Sequence, residues 1–136
     1  MSNIQEIKGE IKDIIRQIHQ GGGIEPFNKD IFLIAVNVAG TTYYKENYED
    51  IIPELVKGIK LDLYREAGNK YDEKAILVKY NDIKLGYVPQ KDNTVIANLM
   101  DGGKLIYGVV DYVCYRPEDY VDYKWLQIHI NLFLKD

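Results

Sequence analysis

The sequence predicts a mostly β protein: a small antiparallel β-barrel of the OB-like or SH3-like kind, with short helices and an added N-terminal helix. Two observations carry that expectation. Six or more runs alternate apolar with polar residues and are separated by turn residues, while the helical stretches are few, short and not spaced as repeated β-α-β units. A barrel also removes the exposed edges that such strands would otherwise carry.

Composition bounds the chain to one ordinary domain: 136 residues, 46% hydrophobic and 28% charged. No apolar run approaches the roughly 18 residues of a spanning helix, so no membrane partner is expected. Met1-Ser-Asn-Ile-Gln-Glu6 lacks a basic and then apolar leader, which predicts a cytoplasmic location. The single Cys114 cannot form an internal disulfide, and one Cys with two His offers no CxxC or HExxH spacing. Neither a metal nor another cofactor is expected. The net charge of −4 has the wrong sign for long-range attraction to duplex DNA. Basic residues nevertheless concentrate at Arg65, Lys70, Lys74, Lys79, Lys84 and Lys91, and acidic ones at Asp101, Asp111, Glu118, Asp119 and Asp122.

In chain order, residues 1–23 read as an amphipathic helix. Ser2 to Gln5 resembles a capping box, Ile4, Ile7, Ile11, Ile14 and Ile18 form one apolar stripe, and Gly21-Gly-Gly23 ends it. The stripe either packs on its own domain or forms a self-association seam with a second copy, being too short for a stable coiled coil alone. Residues 24–30 read as linker, and 31–136 as the barrel. Residues 31–38 form a strand with Phe32, Ile34, Val36 and Val38 toward the core. Gly40 permits a sharp bend, after which Tyr43 and Tyr44, read as strand neighbours, point to opposite faces, so at most one is core. Residues 45–57 are an irregular connection around Pro53, stopped by Gly58. Residues 59–65 alternate, with Ile59, Leu61 and Leu63 inward.

The stretch from Arg65 to Gln90 then reads as strand, polar turn, strand, two-residue turn, strand. Gly68-Asn69 is expected to turn on positive φ values, with Tyr71 and Asp72 held at its end, and Asn81-Asp82 to close a hairpin that Pro89 stops. Asp92 or Asn93 caps a helix over 94–100 that offers Val95, Ile96, Leu99 and Met100 to the core, and Gly102-Gly103 ends it. Residues 104–115 form a long strand with a bulge at Gly108, 116–123 an acidic, Tyr-containing loop, and 124–135 a strand with Leu126, Ile128, Ile130, Leu132 and Leu134 on one face. Trp125, Gln127, His129, Asn131 and Phe133 take its other face. His129 is a sheet-face histidine, and Cys114 a strand residue with no activating neighbour.

Val38-Ala-Gly-Thr-Thr-Tyr-Tyr44, Leu63-Tyr-Arg-Glu-Ala-Gly-Asn-Lys-Tyr-Asp-Glu-Lys-Ala-Ile76 and Lys84-Leu-Gly-Tyr-Val-Pro89, followed by a short helix ending in Asp-Gly-Gly, resemble a HIRAN domain in order and separation. The resemblance covers roughly residues 31 to 113. It implies a modified OB-like barrel which, in fork-remodelling helicases, holds the 3′-hydroxyl end of single-stranded DNA in a small pocket. Tyr43 and Tyr44 match the paired aromatics beside that pocket, Asn69, Tyr71 and Asp72 the turn that closes on the terminal nucleotide, and Tyr112, more loosely, a further aromatic. Thr42 stands where the DNA-binding members commonly have Arg. Tyr87 and Gln90 stand where they offer His and Lys to phosphates, with Lys91 one residue along. A tyrosine ring supplies a stacking surface, and an ionised aspartate accepts a hydrogen bond from a terminal hydroxyl while repelling a terminal phosphate.

Two other classes compete with this reading. Catalysis would need an activated nucleophile or a carboxylate pair, and Asp72-Glu73, the adjacent carboxylates in the turn, would point apart; no enzyme activity is expected. A non-catalytic protein-interaction or self-assembly module, built on the Ile stripe and the acidic loop, is favoured by the acidic balance and by the absent cations.

Overall fold

The computed structural model describes residues 29–119 and 125–136. The expectations for the N-terminal helix, most of the linker and the end of the acidic loop lie outside the described residues. Six strands form one antiparallel sheet: β1 (Ile31–Asn37), β2 (Lys60–Arg65), β3 (Ile76–Tyr80), β4 (Ile83–Tyr87), β5 (Ile106–Tyr115) and β6 (Leu126–Leu134), in spatial order β1-β6-β5-β2-β3-β4. The sheet is OB-like and does not close. Its two ends meet at one isolated bridge, in which Ala39 and Tyr87 exchange backbone hydrogen bonds of 2.8 Å.

Alternation decides which face is core. Ile128, Ile130 and Leu132 of β6, Leu61 of β2 and Val110 of β5 are fully buried and meet Val36, Val78 and Leu85 from the other strands. Leu63 and Ile59 are only partly buried. In β1 the pairing with β6 shifts between Phe32 and Ile34, so Phe32 leaves the core side on which strict alternation placed it and is exposed. The bulge of β5 lies between Val110 and Tyr112 and not at Gly108. Gly108 is small for packing reasons, since a Cβ there would sit 3.3 Å from Ile130 Cδ1.

The connection before β2 is more ordered than its sequence suggests. Residues Thr41–Asn47 and Ile52–Glu54 are 3-10 turns, and Tyr48 between them is fully buried. Its hydroxyl donates to the Leu85 carbonyl, and its ring meets Trp125 edge-on at 5.8 Å. Trp125, predicted on the polar side of the last strand, precedes β6 and is buried against Tyr48 and Tyr115. Asn81 and Asp82 take positive φ of 47° and 71°, the two-residue hairpin turn predicted between β3 and β4. Helix α1 (Asn93–Asp101) buries Ile96 and Ala97, whereas Val95 is exposed. Asp92 occupies its N-cap position without a side-chain capping bond, and Gly103 takes the positive φ (94°) after its C-terminus.

Candidate nucleic-acid interface

Gly40 turns the chain out of the sheet at φ 73°, placing Thr41–Asn47 in a 3-10 turn. Tyr43 and Tyr44 are therefore not strand neighbours, but the division between them persists by another geometry. Tyr43 is 84% exposed, while Tyr44 packs against the core with its ring 6.5 Å from Tyr87. Gly86 makes that approach feasible. A Cβ there would lie 2.3 Å from the Ala39 carbonyl oxygen, so the Ala39–Tyr87 bridge requires glycine.

The second turn is built by a side chain. Gly68 and Asn69 do not adopt the positive φ expected of them. Instead Asn69 Oδ1 accepts from the backbone N–H of Tyr71 at 2.8 Å and of Asp72 at 3.0 Å, so the Asx geometry replaces the glycine conformation. Asp72 continues the frame. Its Oδ1 accepts from the Lys74 N–H at 2.9 Å, and its Oδ2 accepts from Asn93 Nδ2 at 2.7 Å.

Glu66 joins the two turns. Its Oε1 accepts from the Tyr87 hydroxyl at 2.8 Å and from Asn69 Nδ2 at 3.1 Å, while Tyr44 reaches Tyr87 through a long hydroxyl contact of 3.5 Å. Burial, reinforced by the hydrogen bonds with Tyr44 and Glu66, pushes the Tyr87 phenol above its ordinary range, so it remains a donor. One hydrogen-bonded chain thus runs Tyr44–Tyr87–Glu66–Asn69 and on through the Tyr71–Asp72 backbone to Asn93. Neither Glu66 nor Asn93 stood out in the sequence. A glutamate at a strand end has no local signature, and Asn93 reads as a helix cap although it is buried at 1% exposure inside the first turn of α1.

Tyr71 is 93% exposed and, like Tyr43, presents an open ring face in place of the wall of an enclosed pocket. A separate open depression of about 260 Å³ is lined by Asn37, Val38, Ala39, Gly40, Thr41, Thr42, Leu126 and Gln127. Of the predicted residues, Thr42 alone contributes to it. Tyr112 belongs to neither place: it lies on the outer face of β5, stacked on the His129 ring at 4.8 Å, with Asp111 3.2 Å from His129 Nδ1.

The cations are unequally available. Arg65 is committed to the fold, donating to both Asp101 carboxylate oxygens at 2.9 and 3.1 Å and to the carbonyls of Ala75 and Glu73. Lys74 reaches Asn98 at 2.8 Å. Lys91 is exposed but pairs with Asp92 at 3.0 Å, and Gln90 is exposed beside it. Lys70 is exposed with no ion pair or hydrogen bond among the described residues. No group of metal-ligating side chains is found among the described residues, and no described helix is long and apolar enough to cross a membrane.

The model of the HIRAN domain matches residues 31–135. The chain belongs to the HIRAN domain family. HIRAN domains are a nucleic-acid-binding fold family, generally non-catalytic on their own. A crystal structure of a protein from Lactobacillus plantarum is similar over 79% of this HIRAN chain and 97% of its own, with 28% identity and a TM-score of 0.65. The crystal structure of the HIRAN domain of human HLTF is similar over 79% of this chain and 81% of its own, with 21% identity and a TM-score of 0.52, a likeness of fold. No curated protein matches the chain.

Proposed function

We propose that this HIRAN domain binds single-stranded DNA and holds its 3′-hydroxyl end between the Tyr43-Tyr44 turn and the Asn69–Asp72 turn. One observation carries the reading. Two tyrosine rings, Tyr43 and Tyr71, stand open to solvent at the two ends of a frame whose other polar groups are mutually satisfied. Neither ring has a hydrogen-bond or ring partner among the described residues, so neither is explained by packing. Stacking of a base on such a ring contributes about 1–3 kcal/mol. Asp72 has one bond on each carboxylate oxygen and keeps a second lone pair on each, so it retains acceptor capacity for a sugar hydroxyl and would repel a terminal phosphate. In this reading Lys70 and Lys91, both exposed, meet the phosphates that follow. Thr42, Tyr87 and Gln90 add no charge, and Tyr112 already carries His129 on one ring face.

Fluorescence anisotropy with short single strands tests this. A free 3′-hydroxyl end should bind more tightly than the same strand with a 3′-phosphate. Equal affinity for both, or no binding at low salt, overturns the reading. A second reading, a non-catalytic interaction or self-assembly module, is supported by the net charge of −4 and by the engagement of Arg65 with Asp101 and Lys91 with Asp92, which draws positive charge away from the two turns.

A further inference from the structure

The outer face of the sheet carries an apolar row that the nucleic-acid site does not use. Phe32 of β1, Phe133 of β6 and Tyr107 of β5 lie opposite one another in register, their rings 5.8 Å and 5.7 Å apart, on the face away from Ile130 and Leu132. Phe32 is 54% exposed, and Ala35 and Val109 extend the row. Lys60 of β2 stands over the Tyr107 ring at 4.4 Å with its charge exposed.

We propose that residues 1–23 of the same chain dock as a helix across this outer face, with the Ile4–Ile7–Ile11–Ile14–Ile18 stripe laid on the Phe32–Phe133–Tyr107 row. Where the described chain begins supports this occupant. Asp30 is fixed at the rim of the same face: it accepts from the Tyr107 hydroxyl and, at 3.0 Å, from the Asp136 N–H. Residues preceding Asp30 therefore start beside the row. Gly21 to Asp30 reaches roughly 30 Å when extended, against roughly 14 Å from β1 to β2 across the sheet, so the segment can fold back. The stripe would be about 21 Å long, enough to cross that span with about one helical turn to spare.

Charge gives the orientation. At helical spacing, Glu6, Glu10 and Asp13 line one flank of the stripe and Lys8, Lys12 and Arg16 the other. The acidic flank faces β2, where the Lys60 ammonium is exposed over the Tyr107 ring. Docking covers two apolar surfaces at once, and the covalent tether favours the chain's own segment over that of a second copy, because tethering sets an effective concentration on the order of millimolar.

The test uses the full chain with Cys114→Ser. Ile11→Cys combined with Asn131→Cys, which lies between Ala35 and Val109 in register, should oxidise at low protein concentration to a monomer carrying an internal disulfide. Ile11→Cys with Thr94→Cys, exposed on α1, should not. Separately, Ile11→Glu with Ile14→Glu should move the amide NMR signals of Phe32, Tyr107, Val109 and Phe133 and leave those of Asn69 and Asp72 in place. A disulfide formed only between chains, no disulfide, or unmoved signals on the row overturns the proposal.

Discussion

Asp72 combines two duties in one carboxylate. Its oxygens accept from Lys74 N–H and from the buried Asn93 amide, so Asp72→Ala leaves a buried donor unmet and should cost about 1–3 kcal/mol of stability whatever the domain binds. Loss of affinity in that variant would be ambiguous. Asp72→Asn separates the duties: its Oδ1 still accepts from the Lys74 N–H, its NH2 is met when the Asn93 amide turns to present its oxygen, and with the charge gone the affinity gap between 3′-hydroxyl and 3′-phosphate ends should narrow with a smaller fall in stability. The exposed rings give a cleaner measurement. Tyr43→Ala and Tyr71→Ala should each change stability by less than about 0.5 kcal/mol and weaken single-strand binding by about 1–3 kcal/mol. Denaturant midpoints and anisotropy on the same samples check both halves; unchanged affinity in both variants would remove the stacking role.

At the scale of elements, the site depends on how β4 meets the end of β1. The Ala39–Tyr87 bridge holds the Gly40 bend and the Tyr87 phenol together, and it is possible because Gly86 has no side chain. Gly86→Ala inserts a methyl group 2.3 Å from the Ala39 carbonyl oxygen. The expected loss is about 1–3 kcal/mol, as for overpacking in a full core, read as a lowered denaturant midpoint at unchanged slope. The 3-10 connection is held from beneath by Tyr48, whose burial and hydrogen bond to Leu85 pin it to the sheet. Tyr48→Phe should cost about 1 kcal/mol or more, because the Leu85 carbonyl then lacks that donor.

For the whole molecule, charge predicts two titrations. The Tyr107 hydroxyl holds the Asp30 carboxyl below its ordinary value, and the Arg65 guanidinium does the same for Asp101. A carboxyl lowered in the folded state stabilises it above the unfolded pKa, and that stability is lost as pH falls through the folded value. Folding stability should therefore decline on acidification below about pH 4, and the variant carrying Asp30→Asn and Asp101→Asn should be less stable at neutral pH yet decline less; equal acid sensitivity would contradict this. Salt is the other titrant. On the proposed function, in which Lys70 and Lys91 meet the phosphates, log affinity for single strands should fall with log salt by a slope of about 1.4 or less, at roughly 0.7 per phosphate contact.

The sequence by itself determined the antiparallel mostly β fold, the Asn81-Asp82 hairpin, the core face of β6 and the family, because each is written in local alternation, turn chemistry or a linear motif. It also named the residues of the two turns. Tertiary structure decided how those turns are built and joined. Asn69 closes its turn through its own amide in place of glycine conformations, and Glu66 links that turn to Tyr87 across 21 positions of sequence. Arg65, one of the basic residues concentrated between positions 65 and 91, is paired with Asp101, while Phe32, read as core, is turned outward by a bulge. Each of these depends on a partner distant in the chain, and local periodicity carries no information about which distant group a side chain will meet.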